Sequence, residues 1–292
     1  MARRINPFTD FGFKYIFGRE GAKEYLIDFL NGLLKDEENF EPIEDIRYTD
    51  KENKGSGSLD RGIIYDINCV TTSGKQFIVE MQNSQQEFFF DRSIYYFCRA
   101  INEQGERGQN WKYNLRPVYI VAFVNFEIPE LGDQVRTDVG FCNLQTKEPI
   151  SDKARFIYIQ LPKFRKKRKE DCKNIFEWWI YNLINMETME QLAFIKQHNL
   201  FQRLSEITEY AALNKEQRKV YDADLKAYRD LTNSIEFAES KGRQEGRQEG
   251  RQEGVSLERS KIVSTLFRNG MKPDTISQMT GISENEVNRI LQ

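Results

Sequence analysis

The sequence predicts an α/β fold, a mixed sheet flanked by helices, with an α-helical C-terminal region behind it. Two short alternating segments meet across Thr72-Ser73-Gly74, an uninterrupted apolar run extends from Val118 to Val124, and beyond residue 172 the apolar positions recur at helical spacing. In turn these imply a hairpin, a buried strand and a helical extension. With 39% hydrophobic and 30% charged among its 292 residues, the chain can bury a sizeable core, and wholesale disorder is excluded.

Phe11, Tyr15 and Ile16, then Tyr25, Leu26, Phe29, Leu30, Leu33 and Leu34, have helical spacing over residues 10–34, and Gly18 and Gly21 cut the run into two helices. Residues 51–60, K-E-N-K-G-S-G-S-L-D, form a loop by composition, between strands at 43–49 and 62–71. A third strand, Gln76 to Gln82, completes the hairpin. Ser84 and Glu87 have the spacing of a capping box, which predicts a helix through F-F-F-D-R-S-I-Y-Y-F-C-R-A-I to about Asn102. Strands from Val118 and from Phe156 to Leu161 follow, the second ended by Pro162. The order helix, strand, strand, strand, helix, strand implies helices packed on a mixed sheet.

Ile175, Phe176, Trp178, Trp179 and Leu183, then Leu192, Phe194, Leu200, Phe201 and Leu204, predict helices up to about residue 238. From Gly242 to Gly254 the chain repeats G-R-Q-E. Each interior glycine costs a helix ~1 kcal/mol against alanine, which favours a flexible linker. As a helix, the repeat aligns its glycines on one ridge that a second helix can approach closely. Both readings stand at this point. The segment from Ser260 reads as a small helix-turn-helix, with a tight turn at Gly281 and a second helix capped by Ser283 and Glu286. The expected domains are 1–170 with the sheet, 171–241 as a helical extension, 242–254 as the repeat and 255–292 as the tail.

Composition excludes several chemistries. His198 is the sole histidine, which removes histidine-based nucleophile systems and H-E-x-x-H zinc sites, and its surroundings predict a surface or capping role. Cys69, Cys98, Cys142 and Cys172 form no C-x-x-C pair, which suits a reducing cytoplasm. The longest apolar run is far shorter than the ~20 residues of a membrane helix, and no secretory signal is recognisable, so a cytoplasmic protein without membrane contact is expected. With 43 basic and 45 acidic residues, any polyanion must be met by a local patch.

The hairpin reads I-I-Y-D-I-N-C-V-T-T-S-G-K-Q-F-I-V-E-M-Q, and its polar residues need explaining. Glu80 and Gln82 share one strand face, while Phe77, Val79 and Met81 share the other. A two-residue Ser73-Gly74 loop would set Asp66 opposite Met81, whereas a three-residue Thr72-Ser73-Gly74 loop sets it opposite Glu80 and gives glycine the left-handed position. The three-residue loop is expected, with no lysine near the two acids. Paired carboxylates resist joint ionisation, so a divalent cation with oxygen ligands, Mg2+ or Mn2+, would reconcile them. A solvated polar strand face is the competing reading.

Asp66 followed by Glu80-Met81-Gln82 on the second strand of a hairpin resembles the PD-(D/E)XK nuclease superfamily. D-F-G-F-K-Y-I-F-G, I-V-E-M-Q, R-S-I-Y-Y-F, P-V-Y-I-V and the E-G-R-Q-E-G tail resemble, more closely, its transposase-like recombination-promoting nuclease (Rpn) family. The resemblance is strongest from Asp10 to about Phe126. It implies a restriction-endonuclease-like core and a metal-dependent DNA endonuclease, in which Asp66 and Glu80 bind Mg2+, with Mn2+ as a substitute, and the Met81 carbonyl is a further ligand. Gln82 stands at the motif lysine, and Asp10 at an acidic position that contacts metal or water or else caps its helix. Tyr65 replaces the motif proline. An amide at residue 82 supplies no full charge, so slow, strongly metal-dependent cleavage is expected.

Arg92, Tyr95 and Tyr96 are either phosphate contacts or an aromatic core stripe. Lys163, Arg165, Lys166, Lys167, Arg168 and Lys169, six basic residues in seven, are the candidate DNA patch or a solvated loop. Asn285, Asn288 or Arg289 could reach a groove from the tail, which otherwise serves packing, and the repeat could form a homodimer. A strand-transferring carboxylate transposase and a non-catalytic DNA-binding or self-associating module are the alternatives to the nuclease.

Overall fold

The computed structural model describes residues 3–36, 40–49, 52–53, 63–105, 112–165 and 167–292. It divides into two compact units, Met1–Tyr228 and Arg229–Gln292. The first unit holds a six-stranded sheet. Its strands are β1 (Ile46–Tyr48), β4 (Ile67–Thr71), β5 (Gln76–Gln82), β6 (Val118–Val124), β7 (Arg136–Cys142) and β8 (Pro149–Gln160), in the order β1-β4-β5-β6-β8-β7. Pairing is antiparallel from β1 to β5, parallel across β5, β6 and β8, and antiparallel again to β7, so the sheet is mixed as the sequence predicts. A separate two-stranded pair joins β2 (Glu52–Asn53), in the expected loop 51–60, to β3 (Ile63–Ile64), at the start of the strand expected over 62–71, which the structure divides into β3 and β4; residues 51 and 54–62 lie outside the described residues.

Helices cover both faces. α1 (Asp10–Phe17), α2 (Lys23–Leu34), α5 (Ile175–Asn185) and α6 (Leu200–Ile207) share one core with Phe77, Val79, Val121 and Phe123. α3 (Phe89–Asn102), the crossover between the parallel strands β5 and β6, packs on the other face with Ile78, Ile120, Ala122 and Tyr158. Alternate residues of β6 enter the two cores, which is why that strand reads as one apolar run. Phe17, Phe29, Phe123 and Trp179 are fully buried, with ring centroids 5.1 to 6.4 Å apart. Burial of each such ring contributes about 1.5–3 kcal/mol, so this cluster anchors α1, α2 and α5 to the sheet.

Several elements differ from the sequence reading, among them β1, which spans Ile46–Tyr48 instead of 43–49. α3 starts at Phe89 without a side-chain cap, and the Ser84 carbonyl instead accepts from Gln82 at 2.9 Å. The Ser84–Glu87 pair therefore belongs to the connection out of β5. β7 was not expected, and β8 begins at Pro149 instead of Phe156. β7 from Asp138 to Cys142 and the start of β8 at Pro149 and Ile150 are exposed, with a register shift after Gly140, so no buried apolar face marks them in the sequence. Leu161 opens α4 (Leu161–Phe164), where Pro162 sits in a first turn that needs no backbone donor.

α7 runs from Lys215 to Arg268, and residues 242–254 are helical within it. In the second unit, Val263 of α7 forms a small core with Ile276, Ile282 and Val287 from α8 (Pro273–Thr280) and α9 (Glu284–Leu291). Gly281 turns the chain with φ +70°, and the Ser283 hydroxyl accepts from Glu286 N–H at 3.3 Å, the expected cap. No described helix is long and apolar enough to cross a membrane.

Candidate active site

The site begins with a turn. Thr71 N–H donates to Lys75 O and Gly74 N–H to Thr71 O, each at 2.9 Å, which closes the loop over Thr72, Ser73 and Gly74. Gly74 has φ +87°, a conformation that L side chains resist. The three-residue loop fixes Cys69 opposite Phe77 and Ile67 opposite Val79. One step further, the same register brings Asp66 opposite Glu80, as the sequence predicts.

The backbone ladder between β4 and β5 stops there, and the two carboxylates take over its hydrogen bonds. Asp66 N–H donates to Glu80 Oε1 at 3.2 Å, and Met81 N–H donates to Asp66 Oδ2 at 2.9 Å. Each acid thus braces the backbone of the opposite strand, which keeps the two groups together.

A lysine is present beside them, contrary to expectation. Lys14 Nζ lies 2.6 Å from Asp10 Oδ1 and 3.9 Å from Asp66 Oδ1. Asp10 is not the helix cap, because Thr9 Oγ1 accepts from Gly12 N–H at 3.0 Å and Asp10 is the first helical residue. The signal for Lys14 was its place four residues after Asp10, which puts both on one helix face.

Glu80 is only 9% exposed. Burial first, and the Asp66 charge second, push its carboxyl up to about 8, against the Asp66 N–H bond and the charges of Arg92 and Lys14. Asp66 is also raised, chiefly by burial, and the Met81 N–H bond and Lys14 counteract this. For Lys14 burial works downward, and the bond to Asp10 with the charges of Asp10, Asp66 and Glu80 outweighs it. Burial and the neighbouring carboxylates thus disfavour joint ionisation of the two acids, against the charges of Lys14 and Arg92.

This donor set fits a hard divalent cation. Both acids offer oxygen only, and a buried carboxyl with a raised pKa gains most from a second positive charge. Among the described residues no group of three or more His, Cys, Asp or Glu side chains is gathered, so a cation here would rely on two acids together with backbone and water.

Gln82, on the Glu80 face of β5, meets α3. Its amide N–H donates to Ser84 O at 2.9 Å, and its Oε1 accepts from Arg92. Arg92 also donates to Gln86 Oε1 at 2.6 Å and lies 5.9 and 5.8 Å from the Phe89 and Tyr96 rings. Tyr96 packs edge-on against the buried Tyr65 at 5.3 Å, while Tyr95 faces solvent.

Much of the basic run is already paired. Lys163 reaches Glu127 and Asp133 at 2.7 Å each, Lys167 pairs with Glu177, and Arg168 meets Asp171 at 3.0 Å. Lys169 lies 5.6 Å from the Phe194 ring, and Lys166 is outside the described residues. Arg165 is bound to a neutral group, Asn125 Oδ1, at 2.6 Å, and Asn125 N–H in turn donates to Gln82 O at 2.9 Å. Of the described run, it is the residue linked to the end of β5. His198 is half-buried, not a freely exposed or capping residue: its Nε2 and the Trp179 indole N–H share Asp28 Oδ2 at 2.9 and 2.7 Å, a packing role.

A mixed sheet with helices on both faces and an acid pair at its hairpin defines the class, an α/β protein. The profile of PD-(D/E)XK nuclease family transposases matches residues 7–238, and the chain belongs to that family. No curated protein and no solved structure matches it.

Proposed function

We propose that the protein is a metal-dependent DNA endonuclease that hydrolyses phosphodiester bonds. The observation carrying this is the interlocked pair Asp66 and Glu80, two acids held together on adjacent strands. Asp66 and Glu80, with the Met81 carbonyl, would hold Mg2+, or Mn2+ in its place. Such an ion supplies a Lewis acid at the phosphate and lowers the pKa of an adjacent water. Lys14 and Asp10 adjust the charge beside it, Gln82 borders the phosphate, and Arg165 grips the strand. Hydrolysis adds the water oxygen to phosphorus and returns a proton to the leaving sugar oxygen.

Purified protein is expected to nick supercoiled plasmid DNA with Mg2+ or Mn2+. Loss of nicking in Asp66→Ala supports the reading, and nicking by the variant equal to wild type overturns it. A binding module without turnover would shift DNA yet show no cation site that Glu80→Ala removes. A transposase would join a labelled 3′ end to target DNA; the family's name raises that possibility, and a strand-transfer assay decides it.

The repeat in α7 supports a homodimer. At about 100° per residue, the glycine ridge has the Arg243, Arg247 and Arg251 row on one flank and the Glu245, Glu249 and Glu253 row on the other. In a parallel pair each flank meets the opposite flank of its partner, so every contact joins unlike charges. An antiparallel pair would oppose like charges. Parallel association is the arrangement we adopt.

A further inference from the structure

We propose that Arg92 supplies at the reacting phosphate the full positive charge that Gln82 cannot, so that the motif lysine's electrostatic role has moved from β5 to α3. The proposal rests on the nuclease reading of the site and assigns to Arg92 a part in the chemical step.

The orientation of Gln82 follows from its partners. A guanidinium only donates, so the end of the amide facing Arg92 must be its oxygen, and the NH2 end then turns to the Ser84 carbonyl, which only accepts. The glutamine therefore serves as a bracket for the arginine. Gln86 holds a second guanidinium nitrogen at 2.6 Å, and the rings of Phe89 and Tyr96 flank the group. Four residues on or beside one face of α3 thus fix a planar cation at the end of β5.

The nature of those partners decides between the two cations near the acids. Lys14 is bound to Asp10 and approaches Asp66, so carboxylates already offset its charge. Both hydrogen-bond partners of Arg92 among the described residues are neutral amides, which position a charge without cancelling it. Arg92 also stabilises the ionised forms of Asp66 and Glu80, so its field reaches both acids. A preorganised guanidinium beside the acids suits an oxygen on which charge develops during phosphate hydrolysis, and its fork matches two phosphate oxygens.

The test is single-turnover nicking of supercoiled plasmid with enzyme in excess and saturating Mg2+, which separates the maximal rate from the half-saturating protein concentration. Arg92→Gln is expected to lower the maximal rate by about 10²-fold while the half-saturating concentration stays within about threefold. Arg92→Lys keeps the charge without the fork and is expected within about tenfold of wild type. Adding Gln82→Lys to Arg92→Gln returns a cation to β5 and is expected to recover at least about tenfold. Calorimetry with Mg2+ checks that each variant retains its folded cation site. A maximal rate of Arg92→Gln near that of wild type overturns the proposal. So does a loss confined to the half-saturating concentration, or a double variant that binds Mg2+ but stays as slow as Arg92→Gln. Failure of the wild type itself to nick is a different result, and rejects the nuclease reading.

Discussion

Glu80 carries an unusual burden for a strand residue, since its carboxyl is nearly buried, accepts a backbone N–H and lies beside a second acid. A carboxyl whose pKa rises on folding binds protons more tightly in the folded state. Its contribution to stability is therefore fully present below the unfolded value of about 4.3 and is lost as the pH climbs through the folded value of about 8. The melting temperature of the metal-free protein is expected to decline across that window, and Glu80→Gln to flatten the decline. Scanning calorimetry from pH 5 to 8.5 checks this, and a Glu80-dependent rise with pH would contradict it. Mg2+ is expected to stabilise most at the alkaline end, where both acids are ionised. Glu80→Ala should lower the nicking rate by about 10²-fold or more, measured under the same single-turnover conditions.

At the scale of elements, α1 delivers Asp10 and Lys14 to the hairpin, and its orientation depends on Thr9. The Thr9 hydroxyl accepts from Gly12 N–H at 3.0 Å and donates to Asn6 O at 2.9 Å. Thr9→Ala is expected to cost about 1 kcal/mol. That corresponds to a drop of about 2–4 °C in melting temperature, readable by circular dichroism. The hairpin was legible in the sequence because its determinants are local: Gly74 sets the loop, the loop sets the parity, and the parity brings Asp66 to Glu80. Gln76 to Gln82 is the observed extent of β5. β7 was illegible because an edge strand with a solvated outer half lacks the alternation that burial imposes. Lys14 beside Asp66, Arg92 on Gln82 and His198 on Asp28 were missed for another reason. Lys14 meets Asp66 and His198 meets Asp28 across elements far apart in the chain, and Arg92 reaches Gln82 across the turn between β5 and α3, so no spacing within one segment encodes these contacts.

For the whole molecule, near-neutral net charge and the internal pairing of Lys163, Lys167 and Arg168 leave the proposed DNA grip to a few arginines. Arg165→Ala is accordingly expected to raise the half-saturating concentration for DNA by several-fold and to reduce the salt dependence of binding by about one phosphate contact. The repeat gives a second test at this scale. Reversing Arg243, Arg247 and Arg251 to Glu, or Glu245, Glu249 and Glu253 to Arg, should each yield monomers by light scattering, and mixing the two variants should restore a dimer. All catalytic expectations depend on one shared cation, and the most direct measurement is anomalous diffraction from crystals soaked in Mn2+. A single strong peak bridging the carboxylates of Asp66 and Glu80 is the expected result. A fully soaked crystal with no peak between those two side chains would contradict the account.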